Sequence, residues 1–221
     1  MRNVYVVTHP EATHHLEKVV GGWHDSRLTA DGLSAASVIA QTLRGAIPED
    51  VQVALSSSDL RRTRETADAI GRVFGVEARL DRGLREKSYG VAEGRPQEWL
   101  RRHFVPPPAV GDRMNHDEGI EGAETRTAFA TRVYAAVDEL LRQPAEHHIV
   151  VTHGFAFTFV VAAWIKMPIE SLGYVNMHVP PGSITTLRED GYFHNRQVVT
   201  LGFQPSIRRT PSSTTSGPEL R

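Results

Sequence analysis

The chain has 221 residues, 40% of them hydrophobic, with 25 basic against 26 acidic side chains and a formal net charge of −1. That length holds one α/β domain with a substantial core and is short for two, and the balanced charge gives no reason to expect nucleic acid or an anionic membrane as partner. Cysteine is absent, which excludes disulfides, thiolate nucleophiles and cysteine-ligated zinc and leaves the chemistry to other side chains.

The opening MRNVYVVTHPE has only about four consecutive apolar residues, short of a secretory or membrane-spanning segment, so a cytoplasmic location is expected. Within it, Val4 to Val7 is β-branched and aromatic and reads as a buried strand that ends at Thr8 and His9. Thr29 is an N-cap candidate for a helix with Leu33, Ala36, Ile39, Ala40 and Leu43 at helical spacing and a stop at Gly45. Val51 to Leu55 predicts a second strand, and Ser58 or Asp59 a cap for a helix carrying Leu60, Ala67, Ile70 and Phe74, closed by Gly75. From about Leu84 to Glu124 the periodicity lapses, with Gly90, Gly94 and three prolines at 106–108, as expected of an irregular excursion over a site. Phe129, Val133, Val137, Leu140 and Leu141 mark another helix, and Ile149 to Thr152 a strand ending at His153 and Gly154. Strands are expected near Ser183 to Leu187 and Phe193 to Leu201, separated by a turn at Asp190 and Gly191. The expected domain is therefore 1–204, with its excursion at about 88–123, and the Ser/Thr/Pro-rich stretch 205–221 is expected to be a disordered tail.

In open α/β sheets ligands bind beyond the carboxyl ends of the strands, so His9 and His153, each just past an apolar strand, are expected to converge on one pocket. A neutral imidazole can attack phosphorus while a second histidine and an arginine hold the equatorial oxygens of a loose transition state. The same histidines, with His14 and His15, are also compatible with a metal-dependent hydrolase, although no HExxH pattern is present. His24, His103, His116, His147, His148, His178 and His194 are expected to be solvated or locally bonded.

Several segments, in order, resemble the histidine phosphatase (phosphoglycerate mutase-like) superfamily. Thr8, His9 and Pro10 stand where that family has Arg-His-Gly, GGWHDSRLTADG (21–32) is similar to the segment leading into its first helix, and SSDLRRTRETA (57–67) is similar to its second motif, whose phosphate-binding arginine corresponds to Arg62. LREKSYGVAEG (84–94) resembles the segment bearing the proton donor, matched by Glu86, and VVTHGF (150–155) the closing motif with His153. WLRRHFVPPP (99–108) is similar to a stretch of phosphoglycerate mutases in which paired arginines contact substrate.

The resemblance implies an α/β fold, a three-layer, mostly parallel sheet with helices on both faces. It also implies hydrolysis of a small phosphate monoester without metal or cofactor. His9 would be the nucleophile, Glu86 the acid, and Arg62 and His153 the stabilisers of the phosphoryl oxygens, while Thr8, His15, Arg27, Tyr89, Arg101, Arg102, Gly154 and Phe155 would contact substrate. Glu11 and Ser183 are further candidates to line the pocket, and Trp99 and Phe104 to stack on substrate or pack on the core. A small phosphorylated metabolite is the expected partner, and a homodimer is compatible with this reading.

Two departures bear on activity. Thr8 in place of arginine removes a charge-assisted hydrogen bond worth about 1.5–3 kcal/mol, and Pro10 removes a backbone N–H. Arg27, Arg85 or an arginine of the excursion is the expected replacement charge. Mutase-type phosphotransfer and a catalytically impaired metabolite-binding or interaction protein that keeps the fold are the alternatives to hydrolysis.

Overall fold

A computed structural model of the protein describes residues 1–206. The expected tail lies outside the described residues from 207 onward. Six strands form one sheet: β1 (Arg2–Thr8), β2 (Val53–Ser57), β3 (Arg79–Leu80), β4 (His147–Thr152), β5 (Ile184–Glu189) and β6 (Arg196–Phe203), in the order β3-β2-β4-β1-β5-β6. The pairs among β1, β2, β3 and β4 are parallel, and β5 and β6 join antiparallel. β1 and β4 are covered on both faces, which explains their unbroken apolar runs.

Side chains alternate across the sheet. Val4, Val6 and Val150 face a core built with α5 (Arg126–Leu141) and α6 (Ala156–Trp164), whereas Tyr5, Val7, Ile149 and Val151 face α2 (Ala30–Ala46) and α3 (Arg61–Phe74). All nine residues of α6 are buried, as expected of a helix that is apolar all round. The remaining helices are short: α1 (Thr13–Glu17) follows β1, and α4 (Gln97–His103) lies inside the excursion. Among the described residues no helix is long and apolar enough to cross a membrane.

The structure corrects several local expectations. Neither Ser58 nor Asp59 caps α3; Leu60 is the N-cap residue, and the Asp25 carboxylate, from a distant loop, accepts the Arg61 N–H at 2.6 Å. Asp59 instead makes a two-bond ion pair with Arg85. α2 runs one residue past Gly45, and Leu33 lies on its exposed face. His148 is neither solvated nor locally bonded: it is buried in the central strand β4, and neither of its ring nitrogens has a hydrogen-bond partner. Burial lowers its pKa to about 4, so it is a neutral ring packed as a core residue.

α2 docks against the loop after β1 because Gly32 has no side chain. Thr29 caps the helix by accepting the Gly32 N–H at 3.0 Å and donates to the Glu11 carboxylate at 2.8 Å. A Cβ on Gly32 would overlap the Glu11 carbonyl oxygen, whereas one on Gly45, in the same helix, meets nothing. Gly32→Ala is therefore expected to lower stability by about 1–3 kcal/mol despite better helix propensity, and Gly45→Ala to raise it by up to about 1 kcal/mol. Thermal unfolding of the pair should show shifts of opposite sign.

Candidate active site

Thr8 and Thr152 are register partners in the parallel pair β1–β4, so the residues that follow them, His9 and His153, leave adjacent strands side by side. Their ring centroids are 5.2 Å apart. The His9 backbone N–H donates to the Thr152 carbonyl at 3.1 Å, tying the two strand ends together.

The tautomer of His9 follows from its contacts. Nδ1 lies 2.8 Å from the Pro10 carbonyl, which can only accept, so Nδ1 carries the proton. Nε2 is left with its lone pair and accepts from Arg62 Nε at 3.2 Å. Burial, followed by the charge of Arg62, holds the His9 pKa well below the usual value, so the ring is neutral near pH 7.

Arg62 is fully buried at the start of α3. Its other nitrogens donate to the carbonyls of Gly22 and His24, each at 2.7 Å, which fastens the 21–26 loop over the site. Desolvation lowers its pKa to about 10, which still leaves a full positive charge at neutral pH. His153 Nε2 is 2.8 Å from the Ser58 hydroxyl, and its buried Nδ1 has no partner among the described residues. Burial and then Arg62 keep this ring neutral as well.

Glu86 reaches the site from the segment after β3. Its Oε1 accepts the Lys87 and Ala156 backbone N–H groups, and Oε2 accepts that of Phe155, at the start of α6. Exclusion of water holds its pKa above the ordinary carboxylate value, against the lowering effect of those N–H groups and of Arg62. Two residues that sequence reasoning missed keep it in place. Trp23 Nε1 and Arg132 each donate to the Glu86 carbonyl, at 2.7 and 3.0 Å, and Arg132 also binds the Gly83 and Arg85 carbonyls and the Glu124 carboxylate. Arg132 sits mid-helix on α5, and its spacing from Phe129 and Val133 gives no sign of this task.

His9, Arg62 and Glu86 line a cavity of about 460 Å3 in which, among the described residues, Glu86 is the sole carboxylate against Arg62, Lys18 and Arg101. His153 is fully buried and not in the wall itself; its ring packs edge-on against that of His9. His14 and His15 also line the cavity. His15 Nδ1 accepts the Ala12 N–H, leaving its Nε2–H free to donate, and its ring lies parallel to His9 with centroids 5.8 Å apart. His14 bonds Ser26 at 2.7 Å, and burial lowers its pKa to about 3. Among the described residues no group of three or more His, Asp or Glu side chains has an arrangement that could hold a metal ion.

The other candidates divide. Tyr89 and Gly154 line the cavity, as does Thr8, whose hydroxyl is bonded to the Pro180 carbonyl and to Ser183. Ser183 and Glu11 are not in the wall; Glu11 serves α2 instead. Arg27 is exposed and does not line the cavity. Arg85 is committed to Asp59 and to the face of Trp23. α4 carries Arg101 to the rim but turns Arg102 outward, and both pair with Glu98. That arrangement was legible: Glu98 stands three and four residues ahead of the two arginines, the spacing of a surface ion pair. Phe155 is not in the cavity wall; it packs on Phe129 and Phe159 and, with Phe104, lines a neighbouring chamber. Trp99 stacks on His103, outside both walls.

The family described as the histidine phosphatase superfamily (branch 1) matches residues 4–201. A probable phosphoglycerate mutase GpmB from Yersinia pestis is 32% identical over 174 residues, 76% of this chain and 77% of that one. Solved structures with the same fold include a mycobacterial glucosyl-3-phosphoglycerate phosphatase in complex with VO3, with TM-score 0.73 and 22% identity over 92% of this chain and 100% of that one. Bacillus stearothermophilus YhfR has TM-score 0.73 and 24% identity over 92% and 98% of the two chains. With the family pattern running from β1 into β6 and a relative of this identity spanning most of both chains, the protein belongs to the histidine phosphatase superfamily.

Proposed function

We propose that the protein hydrolyses a small phosphate monoester through a phosphohistidine on His9, without a metal. The observation that carries this reading is the fixed tautomer of His9, which presents an unprotonated Nε2 to a cavity containing one buried arginine and one carboxyl of raised pKa. On binding, a phosphoryl oxygen takes over the Arg62 Nε–H that Nε2 accepts, and this frees the lone pair for attack in line with the leaving oxygen. The unpartnered Nδ1 of His153 supplies a second donor once Ser58 donates to Nε2. The free Nε2–H of His15 is a third, and it stands in for the arginine that Thr8 replaces. Glu86 protonates the departing alkoxide and then, as a carboxylate, takes the proton from the water that cleaves the phosphohistidine.

The likeness to a probable phosphoglycerate mutase favours a second reading, in which the phosphoryl group returns to an acceptor alcohol instead of water. One experiment separates the two. Wild-type protein with excess chelator is given a panel of phosphate monoesters, and both inorganic phosphate and positional isomers of phosphoglycerate are measured. Hydrolysis predicts stoichiometric phosphate with no isomer exchange. Exchange without phosphate release would establish the mutase, and loss of all turnover on chelation would overturn metal independence.

A further inference from the structure

The cavity over His9 adjoins a second chamber of about 480 Å3, the two sharing Tyr89, Gly154, Val179 and Pro181 as wall residues. Among the described residues, the charged side chains lining this chamber are Lys87, Arg113, Arg126 and a single carboxylate, Glu118. Glu118 is committed to the buried Lys87 at 2.6 Å. Arg113 donates to the Gly173 and Pro108 carbonyls, and Arg126 to those of Leu172 and Gly173; neither has a carboxylate partner among the described residues.

Two guanidinium groups that share one carbonyl acceptor repel each other, and burial together with Arg113 lowers the pKa of Arg126. Arg126 is also the first residue of α5, where the helix dipole disfavours a cation. The rings of Phe155 and Tyr174 lie beneath Arg126 and Arg113, at 5.1 and 4.6 Å, and hold the two groups at the chamber wall. The fold thus assembles two positive charges against their own repulsion, and the carboxylate near them, Glu118, is bonded to Lys87 and not to either arginine.

We infer that this chamber is the leaving-group subsite and that Arg113 and Arg126 bind an oxyanion, a carboxylate or a second phosphate, on the alcohol portion of the substrate. The inference rests on the phosphatase reading for the phosphoryl end and adds the substrate class: phosphate monoesters of acidic alcohols.

The test uses phosphonates, whose C–P bond resists cleavage. Short ω-phosphonoalkanoates of graded length, the matching α,ω-bisphosphonates and plain alkylphosphonates are titrated calorimetrically into wild type, Arg126→Gln, Arg113→Gln and Arg126→Lys. Acid-tailed ligands of at least one length should bind about ten- to a hundredfold tighter than their alkyl counterparts, the range of one charge-assisted contact. That ratio should fall towards one in both glutamine variants and be partly kept in Arg126→Lys. Whichever tail gives the larger ratio, carboxylate or phosphonate, identifies the anion. Equal affinity for tailed and plain ligands in wild type, which needs no variant to fold, would overturn the inference, as would a preference indifferent to both glutamine substitutions. Turnover of the parent esters is measured separately. Preference without turnover would sink the phosphatase reading and keep the subsite, and turnover without preference would do the reverse.

Discussion

His9→Ala is expected to abolish phosphate release and, with it, any phosphoprotein that is labile to acid and stable to base. The expected loss is on the order of 10^4-fold or more, the scale on which removing a covalent nucleophile acts. No neighbour can replace it. His153 is bonded through Nε2 to Ser58, and His15 accepts a backbone N–H on Nδ1 and carries its proton on Nε2. His14 is bonded to Ser26. Structural collapse is not the expected cause of the loss, because Arg62 keeps its bonds to the Gly22 and His24 carbonyls when the ring is removed. Unchanged unfolding temperature with lost turnover would fit this account. Retained turnover in the variant would exclude His9 as the phosphoryl acceptor.

The four neutral rings around Arg62 have a common cause. His9, His14, His15 and His153 all have depressed pKa values, chiefly through burial and in each case also through the charge of Arg62. A phosphate dianion entering this pocket meets one permanent cation at its base and several polarisable N–H groups, without the repulsion that a cluster of imidazolium ions would impose on itself.

The parts of this site that the sequence reveals are those set by local pattern. β1 and β4 are continuous apolar runs because both faces are covered, and parallel pairing then brings their terminal histidines together. Arg62 near the start of α3 and Glu86 before α6 were accessible through the family resemblance, since isolated charged residues carry no such signal. Contacts made across long sequence separations were not legible. Asp25 caps a helix that begins 36 residues later, and Arg132 holds a carbonyl 46 residues earlier. Arg113 lies in a stretch without periodicity, and it meets Arg126 only through carbonyls of the 310 turn Ile169–Tyr174. The arginine pair that sequence did suggest, Arg101 and Arg102, sits on a solvated helix because Glu98 satisfies it there.

Glu86→Gln is expected to slow alkyl phosphates by about 10^2- to 10^4-fold, the usual contribution of a positioned acid, and aryl phosphates with good leaving groups far less, because those depart without a proton. The geometry indicates which oxygen carries it. Oε1 is occupied by two backbone N–H groups and Oε2 by one, so Oε2 has the lone pair to protonate. Once the proton has left, the N–H groups at the start of α6 stabilise the carboxylate that remains, which favours the transfer. The pH dependence follows from the same groups. The acid must be protonated, so the rate with alkyl esters falls as pH rises through the elevated pKa of Glu86, while His9, with its depressed pKa, stays unprotonated well into the acidic range. The alkaline limb should therefore vanish in Glu86→Gln and be weak for activated aryl esters even in wild type. An alkaline limb that persists unchanged in the variant would mean that another group delivers the proton.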